Sequence, residues 1–185
     1  MMIDQAAGAT RPAAAPLPPL TLVLGGARSG KSRHAEALIA AHGPGLYLAT
    51  AEAGDAEMAA RIAEHRARRG PAWTTIEAPR DLVPALQTHA RADRPILVDC
   101  LTLWLSNLML AGRDADAATA GLVDALPRLA GPVVLVSNEV GLGIVPDNAL
   151  ARRFRDAAGR LNQAVAAACQ RVVLVTAGLP LVLKG

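Results

Sequence analysis

A lysine and a serine stand side by side at the end of a glycine-rich run, Gly25-Gly26-Ala27-Arg28-Ser29-Gly30-Lys31-Ser32. The run matches G-x-x-x-x-G-K-[ST] in full, and residues of these types at this spacing bind phosphate. Gly25, Gly26 and Gly30 let the backbone bend so that its N–H groups point inward around an anion. The positive end of a following helix adds to the field. In such a cradle Lys31 reaches the terminal phosphates of a nucleotide, and the Ser32 hydroxyl binds Mg²⁺. The pattern carries weight only between a strand and a helix. Leu20-Thr21-Leu22-Val23-Leu24 precedes it as an apolar strand, and Ser32 to Ala40 follows as a helix.

Other candidate groups are scattered along the chain. Asp99 follows the apolar run Ile96-Leu97-Val98. A Walker-B-type carboxylate sits in that position and holds Mg²⁺, although the same place suits an N-cap for a helix starting at Leu101. The stretch Asp55 to Arg69 reads as a helix capped by Asp55, with acids preceding bases along its dipole. Met58, Ile62 and His65 fall there at i, i+4 and i+7, so His65 borders the apolar stripe, the usual place of a packed or interface histidine. Arg61, Arg68 and Arg69 lie on neighbouring turns. Their charge disfavours imidazolium, keeps a neutral nucleophilic ring and attracts a triphosphate. Periodicity thus permits covalent chemistry at His65 without showing it. Asn138 to Asn148 reads as a long loop with Gly141 and Gly143, either a substrate lid or an ordinary connection, and Asp147 as a cap for the helix beyond it. His34 falls in the first turn after the phosphate loop, and no His, Cys and Asp spacing suggests a zinc site.

What must position these groups is legible in the alternation of the chain. Apolar runs at 20–24, 45–49, 95–98, 132–136 and 171–176 alternate with amphipathic or alanine-rich stretches near 31–41, 55–69, 80–91, 101–111, 114–129 and 148–169. This predicts an α/β fold, a mainly parallel sheet flanked by helices. Residues 73–76 read as a weaker extra strand, and 178–184 as an edge strand that turns back. Ligands of such sheets gather at the carboxyl ends of the strands. Thr50, Glu52, Glu77, Asp99, Asn138 and Glu139 all follow strand runs. Residues 1–19, rich in Ala, Pro and Gly, read as a disordered extension, and 20–185 as one nucleotide-binding catalytic domain. An apolar fraction of 52% that leans on alanine, with 2% aromatics, fits helix-rich packing better than a β-sandwich. The net charge of +3 is small and not gathered in a tail, so no nucleic-acid partner is read from it. There is neither a membrane-length apolar run nor a signal-peptide pattern at Met1-Met2-Ile3-Asp4-Gln5, and Cys100 and Cys169 read as buried free thiols. A cytoplasmic location is expected.

Seven stretches in order resemble one family, the bifunctional adenosylcobinamide kinase / adenosylcobinamide-phosphate guanylyltransferases of cobalamin biosynthesis. They are G-G-A-R-S-G-K-S-R-H-A-E at 25–36, Y-L-A-T-A at 47–51, E-M-A-A-R-I-A-E-H-R at 57–66, W-T-T-I-E-A-P at 73–79, V-D-C-L-T-L-W-L-S-N at 98–107, N-E-V-G-L-G-I-V-P-D-N at 138–148 and A-G-L-P-L-V-L-K at 177–184. The resemblance implies a P-loop NTPase with a RecA-like core. It implies phosphorylation of the aminopropanol hydroxyl of adenosylcobinamide by ATP or GTP. Transfer of GMP from GTP to that phosphate follows, through a GMP–histidine enzyme. By motif position the histidine is His65. Ala49, Thr50, Ala51, Glu77 and Asp99 match nucleotide-binding positions, as do Arg66, Ala67, Arg68 and Arg69. Mg²⁺ as cofactor, Ser32 and Asp99 as its ligands, and a trimer complete the expectation. Three rivals remain at this point: a small-molecule kinase with no covalent step, a GTP-dependent switch and a nucleotide-binding subunit without turnover. Against the switch, the chain has no N-K-x-D, and its one D-x-x-G, Asp156 to Gly159, lies inside a helical pattern.

Overall fold

The structure is a computed structural model, and it describes residues 16–52, 70 and 72–185. Its seven strands form one sheet in the order β3-β2-β4-β5-β1-β6-β7, where β1 is Leu20–Gly25, β2 Gly45–Ala49, β3 Trp73–Glu77, β4 Ile96–Asp99, β5 Val133–Asn138, β6 Arg171–Thr176 and β7 Leu179–Lys184. Every pairing is parallel except β6 with β7. Among the described residues the helices are α1 (Lys31–Ala40), α2 (Leu82–His89), α3 (Leu101–Leu110), α4 (Ala115–Ala125) and α5 (Ala149–Ala168). The expected mainly parallel α/β architecture is therefore present.

The central strands read as unbroken apolar runs because both faces are covered. Successive residues point to opposite sides. Leu22, Leu48, Val98 and Leu135 join a cluster with Leu101, Trp104 and Leu161 from α3 and α5, on the face that α2 and α4 also cover. Val23, Tyr47, Leu97 and Val134 join Ala35 and Ile39 of α1 on the other face. Full burial of each such side chain stabilises by about 1.5–3 kcal/mol relative to exposure. These two layers hold the strand ends level. In register, Gly25 of β1 stands beside Asn138 of β5. Ala49 of β2 lies between Glu77 of β3 and Asp99 of β4.

Several boundaries differ from the sequence reading. α4 stops at Ala125 and passes into a 3₁₀ turn, Leu126–Arg128, because Pro127 has no N–H to continue the helical ladder. β5 runs on to Asn138, so Asn138 ends the strand rather than opening the loop. Asp147 does not cap α5; Asn148 does, accepting a hydrogen bond from the Ala151 N–H at 2.7 Å. Packing begins before residue 20: Leu17 lies against the α1-side core, and the Pro19 carbonyl accepts from the Val133 N–H. The predicted helix at 55–69 falls outside the described residues. β7 turns back through Ala177 (φ 52°) and Gly178 (φ 80°). Two successive positive φ angles make the two-residue hairpin turn whose twist matches the strands. Among the described residues, no helix is long and apolar enough to cross a membrane.

Candidate active site

The phosphate loop joins the carboxyl end of β1 to the first residue of α1. A Cβ on Gly25 would lie 2.5 Å from Ser29 Oγ and 2.6 Å from the Val175 carbonyl oxygen, so only glycine fits. Gly30, at φ 95°, turns the chain into α1 from the left-handed region. Gly26 is under no such restriction: a Cβ there meets nothing within 4 Å. The bend thus rests on Gly25 and Gly30, and the expected need for a third glycine is not met by any contact. The β6–β7 turn braces the loop from outside, with the Gly178 N–H donating to the Ser29 carbonyl at 2.8 Å. Ala27 and Arg28 lie exposed on the loop, and Arg28 adopts φ 57°, a left-handed conformation that L-residues take at a cost of about 1–2 kcal/mol. The first turn of α1 contains no acid, so no carboxylate of that turn cancels its N-terminal field. Lys31 folds back over the loop and donates from Nζ to the Gly26 carbonyl at 3.1 Å.

Asp99 meets this loop directly. Its Oδ1 accepts from Ser32 Oγ at 3.2 Å, and its Oδ2 accepts from the Tyr47 hydroxyl. The alternative role as a helix cap is set aside: Cys100 takes the N-cap position of α3, without a side-chain cap bond. A serine hydroxyl beside a carboxylate is a hard-oxygen pair, the donor chemistry that Mg²⁺ accepts together with phosphate oxygens and water. Among the described residues no three His, Cys, Asp or Glu side chains converge.

The neighbouring strand ends are held by buried polar contacts. The Thr50 hydroxyl, fully buried, donates to the Cys100 carbonyl and accepts from the Cys100 N–H, each at 2.7 Å, across a cis Asp99–Cys100 peptide. Its side chain therefore secures the backbone after Asp99. Ala49 and Ala51, on either side, are half-buried. Asn107 Nδ2 donates to the carbonyls of Thr50 (2.8 Å) and Pro79 (3.0 Å), and Trp104 Nε1 donates to that of Arg80 (2.9 Å). α3 thus lies against the ends of β2 and β3. Asn138 Nδ2 donates to Thr102 Oγ1 at 2.6 Å, while its carbonyl accepts from Asn162 Nδ2 and the Glu139 N–H donates to the Gly25 carbonyl at 3.1 Å. Glu77 ends β3, exposed and level with Ala49. Glu52 pairs with Arg80 at 2.8 Å in an exposed setting that contributes little.

Titratable groups around the site point away from cysteine chemistry. Burial first, then the Asp99 charge, pushes the Cys100 thiol above its usual range. It stays protonated and unreactive. Burial, then the Arg171 guanidinium, holds the His34 imidazole below its usual value. Asp99 and Glu77 end strands, Thr50 follows one, and Lys31 and Ser32 follow β1 through the phosphate loop, so all five lie at the carboxyl ends of the sheet's strands. His65, Arg66, Ala67, Arg68 and Arg69 lie outside the described residues. Tyr47, Trp104, Asn107 and Asn162 were not among the expected site residues, although the first three stand in the stretches 47–51 and 98–107 that carry the family resemblance. Their other signal is a hydrogen-bonding tip placed inside an otherwise apolar strand or helix face.

Comparison with known proteins gives one consistent result. A family model described as cobinamide kinase / cobinamide phosphate guanyltransferase matches residues 21–183. The chain is 54% identical over 167 residues to the bifunctional adenosylcobalamin biosynthesis protein CobP of Pseudomonas aeruginosa, covering 89% of this chain and 96% of that protein. It is 44% identical over 180 residues to the bifunctional protein CobU of Salmonella typhimurium, covering 89% and 99%. The flagellar accessory protein FlaH of Methanocaldococcus jannaschii shares the fold at a TM-score of 0.51 and 13% identity, over 91% of this chain and 79% of that one.

Proposed function

The chain belongs to the cobinamide kinase / cobinamide phosphate guanyltransferase family, and from that membership we propose that it performs both reactions on one phosphate loop. It is a nucleotide-dependent transferase of cobalamin biosynthesis. ATP or GTP first phosphorylates the aminopropanol hydroxyl of adenosylcobinamide. GTP then supplies GMP to that phosphate, leaving adenosylcobinamide-GDP and releasing pyrophosphate. The observation that carries the reading is the contact between Ser32 Oγ and Asp99 Oδ1, 3.2 Å apart, one residue from Lys31.

Backbone N–H groups of 26–32 bind the phosphates, and Lys31 exchanges the Gly26 carbonyl for a phosphate oxygen. Positioning and charge stabilisation provide most of the barrier reduction in phosphoryl transfer. Ser32 and Asp99 would hold Mg²⁺, which when bound neutralises phosphate charge. Tyr47 fixes the second Asp99 oxygen. In the second reaction a ring nitrogen of His65 attacks the α-phosphorus of GTP, and the bond to pyrophosphate breaks. An oxygen of the cobinamide phosphate then attacks the same phosphorus, the P–N bond breaks, and His65 returns to its neutral form. Arg66, Arg68 and Arg69 attract the triphosphate, and Glu77 with Ala49, Thr50 and Ala51 borders the nucleoside. Support for these roles comes from the motif positions and, for Glu77 and Ala49, from their shared register beside Asp99.

The decisive experiment uses GTP labelled at the α-phosphate. Acid-labile label should remain on the wild-type protein, be absent with γ-labelled GTP and vanish in His65→Ala. Label retained by His65→Ala refutes the histidine assignment, and an unlabelled wild type with intact kinase activity leaves a simple kinase. The protein is also proposed to form a homo-oligomer, a trimer by the family resemblance. Supporting this, β7 is exposed along all six residues, including Leu179, Leu181, Val182 and Leu183, and an open apolar edge strand invites pairing. Sedimentation equilibrium gives the subunit number directly.

A further inference from the structure

One apolar surface beside the site has no use in nucleotide chemistry. The segment that leaves β5 is anchored at both legs. At its start the Glu139 N–H bonds the Gly25 carbonyl, and Glu139 Oε1 accepts from the Gly141 N–H at 2.7 Å. At its end Arg152 donates to the carbonyls of Pro146 (2.9 Å) and Asp147 (2.6 Å). Between these anchors Leu142 and Ile144 are 90% and 97% exposed. Large aliphatic side chains left in water on a tethered loop lose the stabilisation of burial, about 25 cal/mol per Å². Where the loop meets α5, a cavity of about 260 Å³ opens against the second half of α3. Met109, Leu110, Leu150 and Phe154 line it, with Ser106 and Asn148 as polar members. That volume is below the range of pockets that take a whole ligand. It suits one arm of something larger. The elements that carry this surface are tied to the phosphate site: the Glu139 N–H bonds the Gly25 carbonyl at the loop's base, and α3 is held by Asn107 on the Thr50 and Pro79 carbonyls.

We propose that this surface is the corrinoid platform: the Leu142–Ile144 tip packs on an apolar face of the macrocycle, and the α3–α5 cavity takes one of its amide-bearing side arms. The inference rests on the corrinoid acceptor of the reading above. A corrin ring presents methyl-covered faces and a fringe of carboxamides. Exposed aliphatics match the first, and the Ser106 and Asn148 side chains at an apolar cavity match the second. The ring must also lie outside the nucleotide cradle while its aminopropanol arm reaches the γ-phosphate, and a surface starting at Gly25 satisfies this.

The test measures adenosylcobinamide binding by equilibrium dialysis, read from the corrinoid's own visible absorption, on the full chain. Wild type is compared with the double variant Leu142→Ser/Ile144→Ser and with Leu110→Gln at the cavity rim. GTP affinity and sedimentation velocity are recorded in parallel. The double variant should weaken corrinoid binding at least tenfold and Leu110→Gln several-fold, with GTP affinity within twofold and sedimentation unchanged. Unchanged corrinoid affinity in both variants overturns the platform. So does a slower-sedimenting variant, which would make the surface a contact with a second copy. A wild type that binds GTP but no corrinoid overturns the acceptor reading itself and the platform with it.

Discussion

Thr50→Val separates a residue that holds the active-site backbone from one that touches nucleotide. The exchange keeps the shape of the side chain and removes its hydroxyl. That hydroxyl is fully buried and bonds both the N–H and the carbonyl of Cys100 at 2.7 Å. The carbonyl keeps a second partner, the Trp104 N–H at 3.1 Å, so its loss amounts to about 0.5–1.5 kcal/mol. The Cys100 N–H is left buried with no partner, which costs about 1–3 kcal/mol. Together the change is about 1.5–4.5 kcal/mol, a large part of the roughly 5–15 kcal/mol that a folded domain has in total. For a chain of this size it lowers Tm by roughly 3–18 °C. Urea titration at fixed protein concentration measures it, with Thr50→Ser as the control that retains both hydrogen bonds and loses about one methyl group of burial, about 0.8 kcal/mol. GTP affinity, measured well below the unfolding midpoint, should change less than threefold. A Thr50→Val protein that keeps wild-type stability while losing nucleotide affinity tenfold would refute the reasoning, because the hydroxyl would then face the ligand.

Other outcomes follow from the same contacts. Gly25→Ala should lower nucleotide affinity at least tenfold, since its Cβ falls 2.6 Å from a backbone oxygen that cannot move aside, whereas Gly26→Ala, with nothing within 4 Å, should fold and unfold like wild type; isothermal calorimetry and urea midpoints check the pair. Lys31→Ala should reduce the kinase and guanylyltransferase rates together, each by about two orders of magnitude or more, because one cradle serves both; loss of a single activity would contradict this. Cys169 is buried, and burial pushes its thiol up to about 12 against the partial relief given by Lys184. The raised value means that the folded state holds this proton more tightly than the unfolded chain. Stability from this group is therefore complete below about pH 9 and falls as pH climbs toward 12, by at most about 1.4 kcal/mol per unit. Urea midpoints across that window should fall less steeply in Cys169→Ala. Cys100 and Cys169 should resist a thiol reagent near neutral pH until denaturant is added, as both are buried.

Much of this protein was present in local order along the chain. The glycine-lysine loop, the apolar runs and the helices between them are read from neighbours a few residues apart, because phosphate cradles, strand pleats and helix faces all arise from short-range spacing. Family membership also lay in the sequence, as seven separated stretches in fixed order. What local spacing could not give was the partner of each polar group. Thr50 meets Cys100, Asn107 meets Pro79, and Tyr47 and Ser32 share Asp99 across separations of dozens of residues. Those pairings exist only once β2, β4 and β1 stand in register and α3 lies against their ends. The tertiary structure therefore decided that the Thr50 hydroxyl bonds the Cys100 backbone, that Asp99 answers to the phosphate loop rather than to a helix, and that Asn148 rather than Asp147 caps α5. A hydrogen bond forms over about 3 Å of space, whatever the separation along the chain, and only folding brings such groups that close.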